Sequence, residues 1–368
     1  MNFRFVFLLL FSIASLSLKS QVAELPFKID NGHIIIKIKD GGGIPRNFVF
    51  DTGSEPSVLD IKVARKMKLE ADGEVEVTGG GSKKSLEYVS NQMLYLSKDI
   101  TLKSIHFILS DLSRLNPKYE GIIGYDMLKR YVVQIDYTSQ KLVLFRKAKS
   151  LDLDDYAAIP FKFDNDTKIP QFDISLTLEN GKRFKGPVLF DTGAGLTLSV
   201  SQKFVNSNKI MDHLGKTAKF SGKGLHKPLD YAISTIAGLQ LNRFSLGKMT
   251  IRIPESDSGV FSTGSYLGIL GNNVISRFHI ILDYRKKMLY LKPNARFEDS
   301  FEFPSAGIEL RTVGSEIVVG NIILESAAYG LGLRRGDRII SVNGNSSNNV
   351  MYTKKRYHKL AIKPPLSF

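Results

Sequence analysis

Short apolar runs set between turn signals dominate the chain. His33-Ile34-Ile35-Ile36-Lys37-Ile38 lies between Asn31-Gly32 and Asp40-Gly41-Gly42-Gly43, and reads as a strand over Gly32 to Lys39. Asn47 to Phe50 and Val188 to Phe190 are short apolar strands, each running into an aspartate. Ile135-Asp136-Tyr137 and Leu282-Asp283-Tyr284 each read as a strand entering a polar turn, with a returning strand behind it. Helical signals are few. One helix is predicted over Ile61 to Met67 with Asp60 as its cap, another near Gln202 to Asn208. Short β-branched runs and glycine-rich turns predict a mainly β protein, with a closed or half-closed barrel for each structural unit.

The chain repeats itself. Pro26-Phe27-Lys28-Ile29-Asp30 returns as Pro160-Phe161-Lys162-Phe163-Asp164, and Phe50-Asp51-Thr52-Gly53 as Phe190-Asp191-Thr192-Gly193. Gly121-Ile122-Ile123-Gly124 returns as Gly268-Ile269-Leu270-Gly271, and from Leu128 to Leu144 the match with Ile275 to Leu291 runs without a gap. Two copies of one unit, joined near Leu151-Asp152-Leu153-Asp154-Asp155, are predicted over 21–150 and 151–297.

Composition narrows the chemistry. With 368 residues, 43% hydrophobic and 24% charged, the chain has room for two or three globular domains. No cysteine is present, which removes thiol catalysis, thiolate metal sites, disulfides and a lipid-modified cysteine. Residues 1–20 pair an early Arg4 with the apolar run Phe5 to Leu18, and read as a signal peptide cleaved near Ser20-Gln21 rather than as an uncleaved anchor. Export to a periplasm or beyond a bacterial cell is expected, with no stable membrane span after cleavage. The net charge of +15 comes from lysines and arginines spread along the whole chain, so a solvated basic surface is favoured over nucleic-acid binding. The densest cluster, Lys354-Lys355-Arg356, has no aromatic residues patterned for base stacking.

One Asp-Thr-Gly alone means little, because such triplets are common turns. Here the triplet ends an apolar strand twice, and an apolar-apolar-Gly segment closes 73 residues after Asp51 and 80 after Asp191. This order resembles the pepsin and retropepsin superfamily of aspartic proteases over Phe27 to about Lys292. The resemblance implies two retropepsin-like β-barrel lobes related by a pseudo-two-fold axis. It implies a catalytic pair, Asp51 and Asp191, on loops supported by Thr52, Gly53 and Ser54 in one copy and Thr192, Gly193 and Ala194 in the other. Thr52 and Thr192 would bond across the lobe interface, and one chain would suffice for the site. Two carboxyls that close cannot both ionise; one would act as base on a water and the other as acid on a peptide carbonyl, with no metal or cofactor. Ser54, facing Ala194 in the repeat, is expected to donate to Asp51 and make it the more acidic partner. Glycines at Gly79, Gly80 and Gly81, and at Gly222 and Gly224, are expected at the tips of two substrate-covering flaps.

After Phe297 the repeat stops. Ile323 to Ala328, Gly332-Leu333-Arg334-Arg335-Gly336-Asp337 and Val342-Asn343-Gly344 follow in an order that resembles bacterial PDZ domains. The resemblance implies an α+β PDZ-like domain over 298–368, a carboxylate-binding loop at Ser305-Ala306-Gly307-Ile308 and a C-terminal peptide as its ligand. About twenty residues follow Asn348, so an incomplete domain is expected. The six histidines form no metal-binding pair and read as surface or filler residues. No Gly-x-Ser-x-Gly or phosphate loop occurs. The rival to an endopeptidase is a non-catalytic protein that captures peptides in the same cleft or on the PDZ-like segment.

Overall fold

The computed structural model describes residues 21–79, 82–148, 151–163, 167–223, 228–255, 266–301, 307–342 and 345–346. The first copy contains β1 (Gln21–Asp30), β2 (His33–Lys39), β3 (Pro45–Phe50), β4 (Ser57–Asp60), α1 (Ile61–Lys66), β5 (Gly73–Gly79), β6 (Ser82–Tyr95), β7 (Thr101–Ser110), β8 (Gly121–Ile123), α2 (Tyr125–Leu128), β9 (Val132–Asp136) and β10 (Lys141–Phe145). The second contains β11 (Ala157–Pro160), β12 (Gln171–Thr177), β13 (Arg183–Phe190), β14 (Leu198–Val200), α3 (Gln202–Ser207), β15 (Ala218–Lys223), β16 (Pro228–Ile236), β17 (Gly238–Leu241), β18 (Phe244–Leu246), β19 (Met249–Pro254), β20 (Gly268–Leu270), α4 (Asn272–Ile275), β21 (Phe278–Asp283) and β22 (Met288–Pro293). A third segment contributes β23 (Ile308–Val313), β24 (Glu316–Ile323), α5 (Ala327–Gly330), β25 (Arg338–Ile339), β26 (Ser341–Val342) and β27 (Asn345–Ser346).

The protein is mainly β, as its sequence pattern predicts. Both expected helices form: Asp60 caps α1 by accepting from the Lys62 amide, and Ser201 caps α3 by accepting from that of Phe204. The strands before the aspartates start earlier than expected, at Pro45 and Arg183, because hairpin pairing with β2 and β12 extends them past their apolar ends.

The two copies share one strand order. β2-β3-β8-β4-β7-β6-β5 in the first matches β12-β13-β20-β14-β19-β16-β15 in the second. The parallel pairings β3–β8 and β13–β20 fall at equivalent places, as do the antiparallel β4–β8 and β14–β20. The matched tails of the repeat meet each other, with β9 pairing antiparallel to β21 at Ile135↔Ile280. Strands β1, β10 and β9 from one copy thereby join β21, β22 and β11 from the other in a continuous sheet. One apolar core fills both copies, with Phe48, Phe50, Phe190 and Phe278 almost wholly buried in it. The third segment has its own small core of Ile317, Val319, Ile322, Ala328, Leu333 and Ile339. It joins the second copy edge to edge, β24 pairing with β15 at Phe220↔Ile323 and Ser221↔Ile322.

Candidate active site

Strand chemistry delivers each aspartate to the same kind of place. Phe50 and Phe190 are fully buried, so each strand is anchored one residue before its aspartate. The Asp51 amide donates to the Ile123 carbonyl at 2.9 Å, and the Asp191 amide to that of Leu270 at 3.1 Å. The glycine closing each apolar-apolar-Gly segment has a steric reason. A Cβ on Gly124 would collide with the Asp51 carbonyl, and one on Gly271 with the carbonyls of Leu196 and Ala194.

The two loops then lock together. The Thr52 hydroxyl donates to the Phe190 carbonyl at 2.7 Å and accepts from the Thr192 amide at 3.0 Å. Reciprocally, the Thr192 hydroxyl donates to the Phe50 carbonyl at 3.2 Å and accepts from the Thr52 amide at 3.0 Å. Both threonines are buried, so neither hydroxyl nor amide has water as a substitute partner.

This exchange sets the carboxyls face to face. A Cβ on Gly53 would come within 2.6 Å of the Asp191 carboxyl carbon, and one on Gly193 would strike the Asp51 carboxyl. Each carboxylate also accepts from the glycine amide two residues on, Gly53 to Asp51 at 2.7 Å and Gly193 to Asp191 at 2.8 Å. The carboxyls lie within hydrogen-bonding reach of each other. Burial pushes both above the usual carboxylate range, and the Asp51 charge pushes Asp191 further still. Two carboxyls this close titrate as one coupled pair.

The expected donation from Ser54 to Asp51 does not form. The Ser54 hydroxyl donates to the Pro56 carbonyl at 2.7 Å, closing its own turn, rather than to Asp51. Ser54 supports the loop through its backbone instead, its carbonyl accepting from the Tyr125 amide; Ala194 does likewise for Asn272. The group beside Asp51 is His33, which the sequence reading set aside as filler. Its Nδ1 lies 3.2 Å from the Tyr119 hydroxyl, and the Asp51 charge acts on its ring. A signal was available: Asn31-Gly32 fixes a two-residue hairpin, and the resulting register pairs Ile34 with Phe50, one residue short of Asp51.

Tyr284 and Asn272 were also missed. Asn272 accepts from the Tyr137 hydroxyl at 2.5 Å and donates to the Gly32 carbonyl at 2.5 Å, tying the β1–β2 turn to the second copy. Tyr284 is buried near both aspartates, and its pKa is raised by burial and by their charges. Its hydroxyl has no hydrogen-bond partner among the described residues.

Of the expected flap glycines, Gly79 ends β5 opposite Ser82, and Gly222 lies in β15 opposite Leu229, each near the turn of an antiparallel hairpin. Gly80, Gly81 and Gly224 lie outside the described residues, as do Ser305 and Ala306 of the expected carboxylate loop. Gly307 adopts a positive φ of 75° directly before β23, where Ile308 begins the strand. Among the described residues, no group of three or more His, Asp or Glu side chains could hold a metal ion, and no helix is long and apolar enough to cross a membrane.

Residues 36–127 match the family model for aspartyl protease, and residues 303–359 match that for the PDZ domain. The first match contains Asp51 and Gly124 but not the second copy, whose likeness to the first rests on the shared strand order and the threonine exchange. No curated protein matches the chain.

Proposed function

We propose that this chain, which carries an aspartyl protease domain and a PDZ domain, is an aspartic endopeptidase whose two copies act as lobes about a pseudo-two-fold axis. The single observation that carries this reading is the reciprocal packing of Asp51 against Gly193 and of Asp191 against Gly53. That close approach supports a pair of carboxyls sharing one proton. Asp51, ionised, takes a proton from a water as that water attacks the scissile carbonyl carbon. Asp191 gives its proton to the carbonyl oxygen. Collapse of the resulting gem-diol returns a proton to the leaving nitrogen and breaks the C–N bond. A rigid pair of loops favours this chemistry because the threonine exchange fixes both carboxyls before substrate arrives.

The substrate on this reading is an extended peptide laid along the cleft beneath hairpins β5–β6 and β15–β16, with a PDZ-bound peptide terminus as a second contact. Export to a bacterial envelope belongs to the same proposal and is supported by the charged and apolar start of the chain. Cleavage of a peptide library by the intact protein tests the reading. The wild type should cut, while Asp51→Asn and Asp191→Asn should each lose roughly 10²–10⁴-fold in kcat/KM. Equal cleavage by all three would refute the dyad, and binding without cleavage by the wild type would favour a peptide-capturing protein instead.

A further inference from the structure

We propose that His33 is a positioning residue for the dyad: an imidazole set across the strand from Asp51 that favours ionisation there and leaves the shared proton on Asp191. The inference rests on the reading of these aspartates as a catalytic pair, and adds to it the reason why the two carboxyls take different roles.

The hairpin register dictates the placement. Ile34 pairs with Phe50 on neighbouring strands, so His33 and Asp51 are the next residues on the two chains. The ring is held from several sides. Tyr119, itself buried, meets it edge-on at a centroid distance of 5.6 Å and brings its hydroxyl to 3.2 Å from Nδ1. That hydroxyl also lies 3.1 Å from the Asp30 carbonyl. The turn preceding the ring is clamped as well, since the Gly32 carbonyl accepts from the Asn272 amide. Asn31 exchanges two hydrogen bonds with the Thr312 backbone, at 2.8 and 2.9 Å.

The ionisable groups that face this imidazole are Asp30 from β1, Asp51 at the end of β3 and the Tyr119 phenol ahead of β8. From the second copy it meets the Gly193 backbone. Burial lowers the imidazole pKa below its ordinary value, while the charges of Asp51 and Asp30 and the backbone at Asp30 and Gly193 oppose that shift. The effect is reciprocal: burial raises the pKa of Asp51 overall, and the His33 charge lowers it alongside the larger contributions of the Asp191 and Gly53 hydrogen bonds.

The second copy supplies the control. Its register pairs Gln171 with Leu189, the Phe190 amide donates to the Pro170 carbonyl just beyond, and the same count continued past the start of β12 brings Ile169 level with Asp191. Ile169 is buried with Tyr266, which stands two residues before Gly268 as Tyr119 stands two before Gly121. The same frame therefore carries an imidazole at this position in one copy and an aliphatic side chain at the matching position in the other.

Two measurements on the intact chain decide the matter. The first is an NMR titration of the His33 imidazole in the wild type, Asp51→Asn and Asp191→Asn. Its midpoint should fall by roughly one pH unit in Asp51→Asn, where the neighbouring anion is gone. It should not fall in Asp191→Asn, where Asp51 remains to ionise. The second is the pH dependence of kcat/KM in His33→Gln, which keeps hydrogen-bonding capacity and loses the charge. Its acid limb should move to higher pH, because Asp51 then keeps its proton longer, while the alkaline limb stays in place. A midpoint unchanged in Asp51→Asn overturns the proposal, and so does a His33→Gln rate lowered evenly at every pH. If His33→Gln does not fold, the imidazole titration alone decides. Undiminished cleavage by the aspartate variants would remove the protease reading while leaving the titration to judge the His33–Asp51 pairing separately.

Discussion

The two copies of the repeat build one strand order from different side chains, and they differ around the paired aspartates and at the third segment. In the first copy His33 neighbours Asp51 and Tyr119 holds its ring, whereas Ile169 and Tyr266 stand at the matching positions of the second. The hairpins differ too. In the first copy β5 ends its sheet, with Glu74 and Glu76 alternating with Val75 and Val77 along a strand that has no further neighbour among the described strands. In the second copy β15 continues into β24, so its edge is partly covered. Charged residues protect an open edge strand, and pairing protects a closed one. The first copy thus keeps a free hairpin and a titratable neighbour for its carboxyl. The second has a tethered hairpin and an inert neighbour. On the reading proposed above, equal backbones with unequal surroundings suit one carboxyl to act as acid and the other as base.

Breaking the close approach of the loops should have the largest effect. Gly193→Ala puts a Cβ into the Asp51 carboxyl and should cost roughly 10²-fold or more in kcat/KM by displacing it. Next in size is the threonine exchange. Thr192→Val leaves the Thr52 amide and the Phe50 carbonyl buried without their partner, and should lower unfolding free energy by roughly 1–3 kcal/mol in a denaturant titration.

The pH dependence of stability sharpens the contrast between the carboxyls. Asp191 has a folded pKa above its unfolded value, so the folded chain binds more protons and loses stability as pH rises from the ordinary carboxylate range towards the raised one. Asp191→Asn cannot ionise there. Its melting temperature should therefore gain on the wild type across that window, and a parallel decline in both proteins would count against a buried, shared proton. The smallest effect belongs to the tethered hairpin. Arg252 reaches Glu309 of β23 through one nitrogen, 2.8 and 2.9 Å from the two carboxylate oxygens, while its guanidinium lies over the buried Phe220 ring. The pair is partly solvated, so Arg252→Ala should cost about 1 kcal/mol or less. Hydrogen exchange should then quicken in β15 and β24 while β5 and β6 stay unchanged.

Much of this was legible in the sequence, for local reasons. Period, turn signals and caps mark β2, α1 and α3, and the internal repeat foretells that the two copies share a strand order. The single-turn helices α2 and α4 escaped, being too short to carry a helical period. The joining of β9 to β21 and of β15 to β24 escaped for another reason: both link residues far apart in sequence, and strand edges carry no label for a distant partner. At the site, the repeated triplets identify Asp51 and Asp191, but comparing the residues just after them led to Ser54 and Ala194. The informative difference lies at His33, which starts β2, and at Ile169, just ahead of β12, where pairing register rather than sequence adjacency decides who meets whom.

Titration of the two carboxyls themselves, followed by NMR in the intact protein with aspartate labelled at its carboxyl carbon, tests the shared-proton pair most directly. Two separated steps are predicted, Asp51 ionising first and Asp191 holding its proton well above the usual carboxylate range, with that second step moving down in Asp51→Asn. Two aspartates titrating independently near ordinary values, each unaffected by loss of the other, would contradict it.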